Sequence, residues 1–161
     1  MFTRPFIDSL DFARHGGELS GEVPVVELSR LTDLLADTEG KISYVLHGLL
    51  GKDGNPQLNL ILDGICNLQC QRCLNTLPYL IRLSSKLRLI SEGLIDTKDI
   101  ENDEVDSIPA EKHLDVLSLL EEELILSLPI APKHPLGVCQ IGVEDLNRSN
   151  NPFAVLAGLK M

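Results

Sequence analysis

Three cysteines and one histidine in this chain have the types and spacing of metal ligands. Cys70 and Cys73 form a Cys-x-x-Cys motif, and His134 and Cys139 form a second pair much later in the chain. Two cysteines at the first spacing can grip one metal, because the residues between them fold the chain back around it. Three thiolates and one imidazole are a known structural zinc set, so the sequence predicts a zinc site if the two pairs meet. We interpret Cys66 as a core residue, because it lies on the apolar face of its strand. It is also the candidate to replace one of the four metal ligands.

A thiol oxidoreductase is the alternative interpretation of the same motif. Thioredoxin-type enzymes place the first cysteine at a helix N-terminus within a βαβ unit, which lowers its pKa. Here the motif lies between two strand patterns, with Arg72 inside it. An arginine would help a thiolate, but the helix is missing, so the pattern favours a metal over redox chemistry.

The elements that must position the first cysteine pair are two strands joined by a turn. From residue 58 to residue 70 the even positions are apolar or carry sulfur, and most odd positions are polar. That period of two is the signature of a strand with one buried face. The same alternation resumes after Cys73 and continues to about residue 91. The sequence therefore predicts a hairpin with two thiols at its tip.

The hairpin extends into a larger sheet. Residues 41–50 are strand-like, and Asp53-Gly54 between two strand patterns is a strong hairpin signal. Strands at 41–50, 57–69 and 77–91 predict an antiparallel meander that can curl into a partial barrel. We expect an α+β fold in which this sheet is packed with a few helices, at 30–36, 115–128 and 152–159. A further strand at 21–28 should lie at an edge, because Pro24 cannot donate a ladder hydrogen bond.

The clearest helix covers residues 115–128. Asp115 is the expected N-cap, and leucines recur along one face that should cover the sheet. Glu121, Glu122 and Glu123 could be taken for a metal or acid–base cluster. We interpret them as a solvated helix face, because consecutive residues do not converge on one point.

Composition limits the class of protein. With 161 residues one domain spanning 1–161 is the default, and a hydrophobic content of 43% excludes wholesale disorder. No apolar run is long enough to span a bilayer, and the first residues lack the apolar region of a secretory signal. Four cysteines suit a reducing cytosol, where a close pair indicates metal or redox chemistry. We therefore expect a cytoplasmic protein without membrane contact.

The net charge of −10 is concentrated in one part of the chain. Residues 92–127 hold 12 acids against 2 bases, which alone gives −10. Part of this stretch, 92–112, contains Pro109 and is predicted to be a flexible acidic loop. By contrast, residues 64–91 contain no acid at all.

The acid-free stretch contains four cations that could contact RNA. Period two places Arg82, Lys86 and Arg88 on one sheet face, with Arg72 at the hairpin tip. A basic face can bind phosphates even on an acidic protein. A solvated outer face is the alternative, since lysines and arginines are ordinary there. No aromatic residues interleave with these cations, which disfavours a module that reads RNA sequence.

No sequence motif indicates an enzyme. The chain has no glycine-rich nucleotide loop, no Gly-x-Ser-x-Gly elbow and no paired acid and base. We therefore predict a non-enzymatic protein.

Several motifs together resemble the bacterial YceD family, the large ribosomal RNA subunit accumulation proteins. The resemblance spans the chain from about Cys66 to the end. It consists of the Cys-Gln-Arg-Cys motif at 70–73, Leu-Asp at 114–115 leading into 121–129, Pro-Lys-His at 132–134 with Cys139, and the ending at 151–160. The sequence Asn-Pro-Phe-Ala-Val-Leu within that ending is the most specific part.

This resemblance implies a non-enzymatic role in the synthesis, processing or stability of 23S ribosomal RNA. The expected partner is ribosomal RNA or a precursor of the large subunit. The family's genomic setting suggests a protein partner as readily, because its genes often lie beside one for a small large-subunit ribosomal protein. An acidic protein-interaction module that chaperones a basic ribosomal protein is therefore an open alternative.

Overall fold

The computed structural model describes residues 3–91 and 105–139, together with Pro152, Leu156 and Gly158. The strands are β1 (Phe6–Ile7), β2 (Glu18–Pro24), β3 (Lys41–Leu50), β4 (Pro56–Gln69), β5 (Thr76–Ile90), β6 (Asp106–Pro109) and β7 (Leu114–Asp115). The α-helices are α1 (Ser9–Arg14) and α2 (Val116–Ser127), and 3-10 helices cover Val25–Glu27 and Ser29–Leu34.

A five-stranded sheet with the order β2-β3-β4-β5-β6 dominates the described residues. The first four strands are antiparallel neighbours, which confirms the predicted meander, and β6 pairs with β5 in parallel. The three central strands begin and end within one residue of the predicted bounds. The described strands form an open sheet rather than a closed barrel. The fold is therefore an α+β sheet packed with a few helices, as expected.

The core lies on one face of this sheet. Even-numbered residues of β4 and odd-numbered residues of β5 point inward, and Leu58, Leu60, Leu62 and Leu87 are fully buried there. Helix α1 packs over β3 at Gly48, where a Cβ atom would overlap the backbone of Phe12. Helix α2 adds a row of buried leucines to the same core.

Helix α2 begins as predicted, because the Asp115 carboxylate accepts a hydrogen bond from Leu117 N at 3.1 Å. The prediction that its three glutamates form a solvated face is wrong for two of them. Glu121 and Glu123 are buried and accept hydrogen bonds from Arg30 N and Ser85 Oγ. Buried carboxylates need such donors, since an unpaired one would carry a large desolvation cost.

Other sequence predictions differ from the structure in detail. The predicted acidic loop at 92–112 contains strand β6, and residues 92–104 lie outside the described residues. The strand predicted at 21–28 begins earlier and gives way to 3-10 helix after Pro24. The helix predicted at 30–36 is a 3-10 helix, and the one predicted at 152–159 falls almost wholly outside the described residues. Among the described helices, none is long and apolar enough to span a membrane.

Candidate metal centre

The turn between β4 and β5 holds the first cysteine pair. Leu74 N donates to Cys70 O at 2.9 Å and Cys70 N donates to Asn75 O at 2.9 Å, which closes the turn. Leu74 adopts a positive φ of 61°, a conformation that costs free energy for a leucine. The ladder between β4 and β5 holds the turn in place, because it pairs Gln57 with Arg88 at its far end and Gln69 with Thr76 next to the turn.

The second pair of candidate ligands reaches the hairpin tip from the end of α2. Three prolines follow the helix and prevent its continuation, so the chain runs on as a non-helical segment. Gln71 N donates to Pro132 O at 2.8 Å, and the Arg72 guanidinium donates to His134 O. Both contacts hold the segment 129–139 against the tip.

These contacts bring all four predicted ligands together. One ligand atom from each of Cys70, Cys73, His134 and Cys139 lies within 4.8 Å of the others. The sulfurs of Cys70 and Cys139 are 3.7 Å apart, and His134 Nδ1 is 3.3 Å from Cys73 Sγ. Sulfurs placed tetrahedrally about 2.3 Å from one zinc ion would be about 3.8 Å apart. The four residues are therefore close enough to hold a metal ion.

The histidine is oriented to offer Nδ1. Its Nε2 lies 3.2 Å from Thr76 O, a carbonyl that can only accept a hydrogen bond. The proton is therefore assigned to Nε2, which leaves the Nδ1 lone pair facing the thiols. A backbone acceptor that fixes the ring in this way is typical of metal-bound histidines.

The environment of Cys70 favours the thiolate, which is the form that binds metals. Backbone N–H groups point at its sulfur from Arg72, Cys73 and His134. Burial alone would raise the pKa of this thiol, but these donors outweigh it and lower the pKa to about 5. Burial raises the pKa of Cys139, and the neighbouring thiols raise it further.

Cys66 does not belong to this cluster. It lies on the inner face of β4 as a core residue, as the sequence predicts, and burial raises the pKa of its thiol to about 11. It therefore provides a natural control for experiments on the other three cysteines.

The four cations predicted to contact RNA differ in exposure. Arg72, Arg82 and Lys86 are exposed, whereas Arg88, which lies on the same face of β5 as Arg82 and Lys86, is only 9% exposed. Its guanidinium lies 4.0 Å from the Asp53 carboxylate of the β3–β4 turn. Arg82 lies in register with Asp63 on the neighbouring strand. Whether any of these cations contacts RNA stays a prediction.

The surface around the metal centre carries a different set of exposed groups. Large aliphatic side chains are exposed there, namely Leu74, Ile130, Leu136 and Val138. Arg72 and Lys133 are the nearby cations, and neither residues 64–91 nor residues 124–139 contain an acid. These two stretches are therefore basic although the chain as a whole is acidic, and Asp33 lies beside them, where it lines a cavity with Gln71 and Ile130.

Two contributors to the site were not predicted from sequence. The Thr76 carbonyl orients His134, and Arg72, predicted to contact RNA or to favour a thiolate, donates a hydrogen bond to the His134 carbonyl. Backbone carbonyls leave no residue signature, so no sequence signal could have revealed either contact.

The fold and site define a class of protein: an α+β sheet whose central hairpin ends in a Cys₃His ligand set. The family model of the large ribosomal RNA subunit accumulation protein YceD matches residues 58–160, which include all four ligands. The chain belongs to this family. It is also 26% identical to the large ribosomal RNA subunit accumulation protein YceD of Haemophilus influenzae, over 96% of this chain and 94% of that protein. No solved structure matches the chain.

Replacing Arg72 with alanine should weaken metal binding. The substitution removes a donor that joins the hairpin tip to the His134 carbonyl, so the second ligand pair is held less firmly. Loss of such an outer contact typically costs about 10- to 100-fold in metal affinity. Cobalt titration, followed by the thiolate-to-metal absorption band, measures the change. Arg82→Ala, which removes an exposed cation from the sheet, is the matched control. Equal affinities for the two variants would contradict this role of Arg72.

Proposed function

We propose that this protein supports the accumulation of 23S ribosomal RNA during assembly of the large ribosomal subunit, without catalysing a reaction. The observation that carries the proposal is the family match, which covers the hairpin, the prolines and both ligand pairs. The relative from Haemophilus influenzae, similar over nearly its whole length, bears the same description. In this role the protein works in the cytoplasm, on a precursor of the large subunit.

The proposal assigns zinc to the Cys₃His set. Three sulfurs and one imidazole nitrogen match the ligands that zinc prefers, and no position is left for a reacting water, as in a structural site. Bound zinc would supply a fixed link between the hairpin tip and the segment 129–139. This link would hold the surrounding side chains in one arrangement.

The RNA contact is assigned to the end of the molecule that holds this link. Arg72 and Lys133 are exposed there, in stretches of the chain that contain no acid, and such cations are the groups that bind phosphates. Few cations are present, which suits weak and salt-sensitive binding. Arg82 and Lys86 are left out of this contact, because acids share their face of the sheet. Asp63 pairs with Arg82, and Glu18 lies in line with Lys86 across the strands.

A chaperone for a basic ribosomal protein is the second candidate function. A cavity of about 420 Å³ favours it, because carboxylates of Glu111, Asp115 and Glu122 line it together with apolar side chains. Such a lining could hold the aliphatic stem and the charge of a lysine or arginine. Two of these carboxylates already pair within the chain, Asp115 with Arg4 and Glu122 with Arg30. The ribosomal RNA role is therefore preferred.

Protein purified without chelators should contain about one zinc per chain. Cys70→Ser should abolish this content and lower the melting temperature by about 10 °C, because the link between hairpin and segment is lost. Cys66→Ala should retain the metal, since this thiol lies outside the cluster. Metal analysis and thermal unfolding measure both effects. A wild-type chain without zinc, whose stability Cys70→Ser leaves unchanged, would rule out the metal.

The ribosomal role predicts that tagged protein sediments with large-subunit precursors in a lysate gradient. The double variant Arg72→Glu with Lys133→Glu should no longer sediment with the precursors. Moderate salt should weaken the binding of the wild type, because salt screens contacts with phosphates. Arg14→Glu combined with Lys52→Glu is the matched control. Both cations are exposed, and they lie near the end of β3 that is far from the hairpin tip. If the wild type stays at the top of the gradient at both salt concentrations, particle binding is excluded. The basic-protein candidate would then take its place.

A further inference from the structure

Among the described residues, no helix lies on one face of the five-stranded sheet. Helices α1 and α2 pack on the inner face, so the alternate residues of β2 to β5 form what we call the open face. Its apolar residues Ile61, Ile65 and Leu80 are 45%, 55% and 57% exposed. Exposed aliphatic side chains that share one face indicate an interaction surface.

The open face has an ordered distribution of charge. The strand registers place its residues in three successive rows, each running from β2 to β5. The first row is Glu18, His47, Asn59 and Lys86; the second is Ser20, Val45, Ile61 and Ser84; the third is Glu22, Ser43, Asp63 and Arg82. Both charged rows have an acid on β2 and a base on β5, and the third row has a second acid, Asp63, on β4. The middle row has its two apolar residues at the centre.

This pattern is complementary to itself. A two-fold axis parallel to the strands and lying between β3 and β4 would place β2 of one copy over β5 of the other. The same rotation places β3 over β4 and keeps each row opposite itself. We propose that the open face is the interface of a homodimer, an inference that goes beyond the proposed function and does not depend on it.

The rotation gives an oppositely charged partner to the four charged residues on β2 and β5, whereas Asp63 of β4 would face Ser43 of the second copy. Glu18 would face Lys86 of the second copy, and each such pair would occur twice, as two-fold symmetry requires. Glu22 would face Arg82 of the second copy in the same manner. Opposed charges in fixed register give an interface its orientation and its specificity.

The uncharged positions are also compatible with this arrangement. Val45 would face Ile61 of the second copy across the centre of the interface. Leu80 would lie opposite Pro24, the last residue of β2, at the end nearest the hairpin tip. Asn59 would lie opposite His47 of the second copy, so two polar side chains meet there.

Contacts within one chain leave the charged residues available. Glu22 lies 3.6 Å from Lys41 Nζ, but both side chains are more than 60% exposed, so the pair is weak and easily exchanged. Arg82 lies opposite Asp63 in the ladder and is exposed. The side chains of Arg82 and Glu22 can therefore reach a second copy.

The size of the open face suits a reversible dimer. Four strands spaced about 4.8 Å apart overlap over the seven residues of β2, each about 3.4 Å long, and cover roughly 460 Å² per copy. Stable interfaces bury about 800 Å² per partner, so this contact falls in the class of small, transient interfaces. Packed sheets with strands about 30° apart are a common geometry for such a surface.

An RNA contact is the other role that could explain Arg82 and Lys86. Its weakness is that acids of β2 and β4 share the same face, and these would repel phosphates. A homodimer uses the acids and the bases together, whereas RNA would use the bases alone. The choice between them can be tested with charge-reversed variants.

Two variants test the interface. Arg82→Glu with Lys86→Glu makes both edges of the open face acidic, and Glu18→Lys with Glu22→Arg makes both edges basic. Each alone should weaken dimerisation at least tenfold, because each copy would repel its own kind. A one-to-one mixture of the two should dimerise like the wild type, since every charged pair is restored. A single chain that carries all four substitutions should also dimerise like the wild type.

Sedimentation velocity at protein concentrations up to about 100 μM measures these equilibria. Circular dichroism of each variant controls for folding, and Ile61→Glu should abolish the dimer without unfolding the chain. A wild-type chain that stays monomeric throughout would overturn the proposal. So would an equal mixture that fails to associate while both variants are folded. Loss of particle binding by Arg82→Glu with Lys86→Glu, without any change in mass, would overturn it in favour of an RNA face.

Discussion

The pairing of β4 with β5 is the interaction on which the other features of this protein depend. Its strict alternation buries one set of side chains in the core and leaves the other set on the open face. The same ladder ends in the turn that carries Cys70 and Cys73. A shift of one residue in register would turn the leucines outward, so core burial fixes the positions of the thiols and the charged rows at once.

The cluster of Cys70, Cys73, His134 and Cys139 joins two parts of the chain that the core does not hold together. The segment 129–139 contains several exposed residues and little buried apolar surface, so packing alone holds it weakly. Its contacts with the hairpin tip are hydrogen bonds and the ligand cluster. A metal at this cluster would place Arg72 and Lys133 on one rigid surface. The proposed RNA contact therefore depends on the ligands rather than on the sheet.

Local patterns in the sequence predicted the three central strands and singled out the four residues that the fold brings together, because period-two alternation and thiol spacing are local signals. The burial of Arg88 and of Glu121 could not be predicted in this way. Arg88 lies beside β6, which comes later in the chain and pairs in parallel, and Asp53 approaches it from a turn. Glu121 is buried against Arg30, a residue far from it in sequence. Such contacts arise from tertiary packing, which leaves no periodic signal.

The ratio of 23S to 16S ribosomal RNA in cells that lack this gene tests the central claim most directly. The account predicts a lower ratio than in the parent strain, restored by the wild-type chain. A chain with Cys70→Ser and Cys73→Ser, expressed to the same level, should fail to restore it, because the RNA-facing surface depends on the ligands. A ratio that is unchanged by loss of the gene would contradict the account.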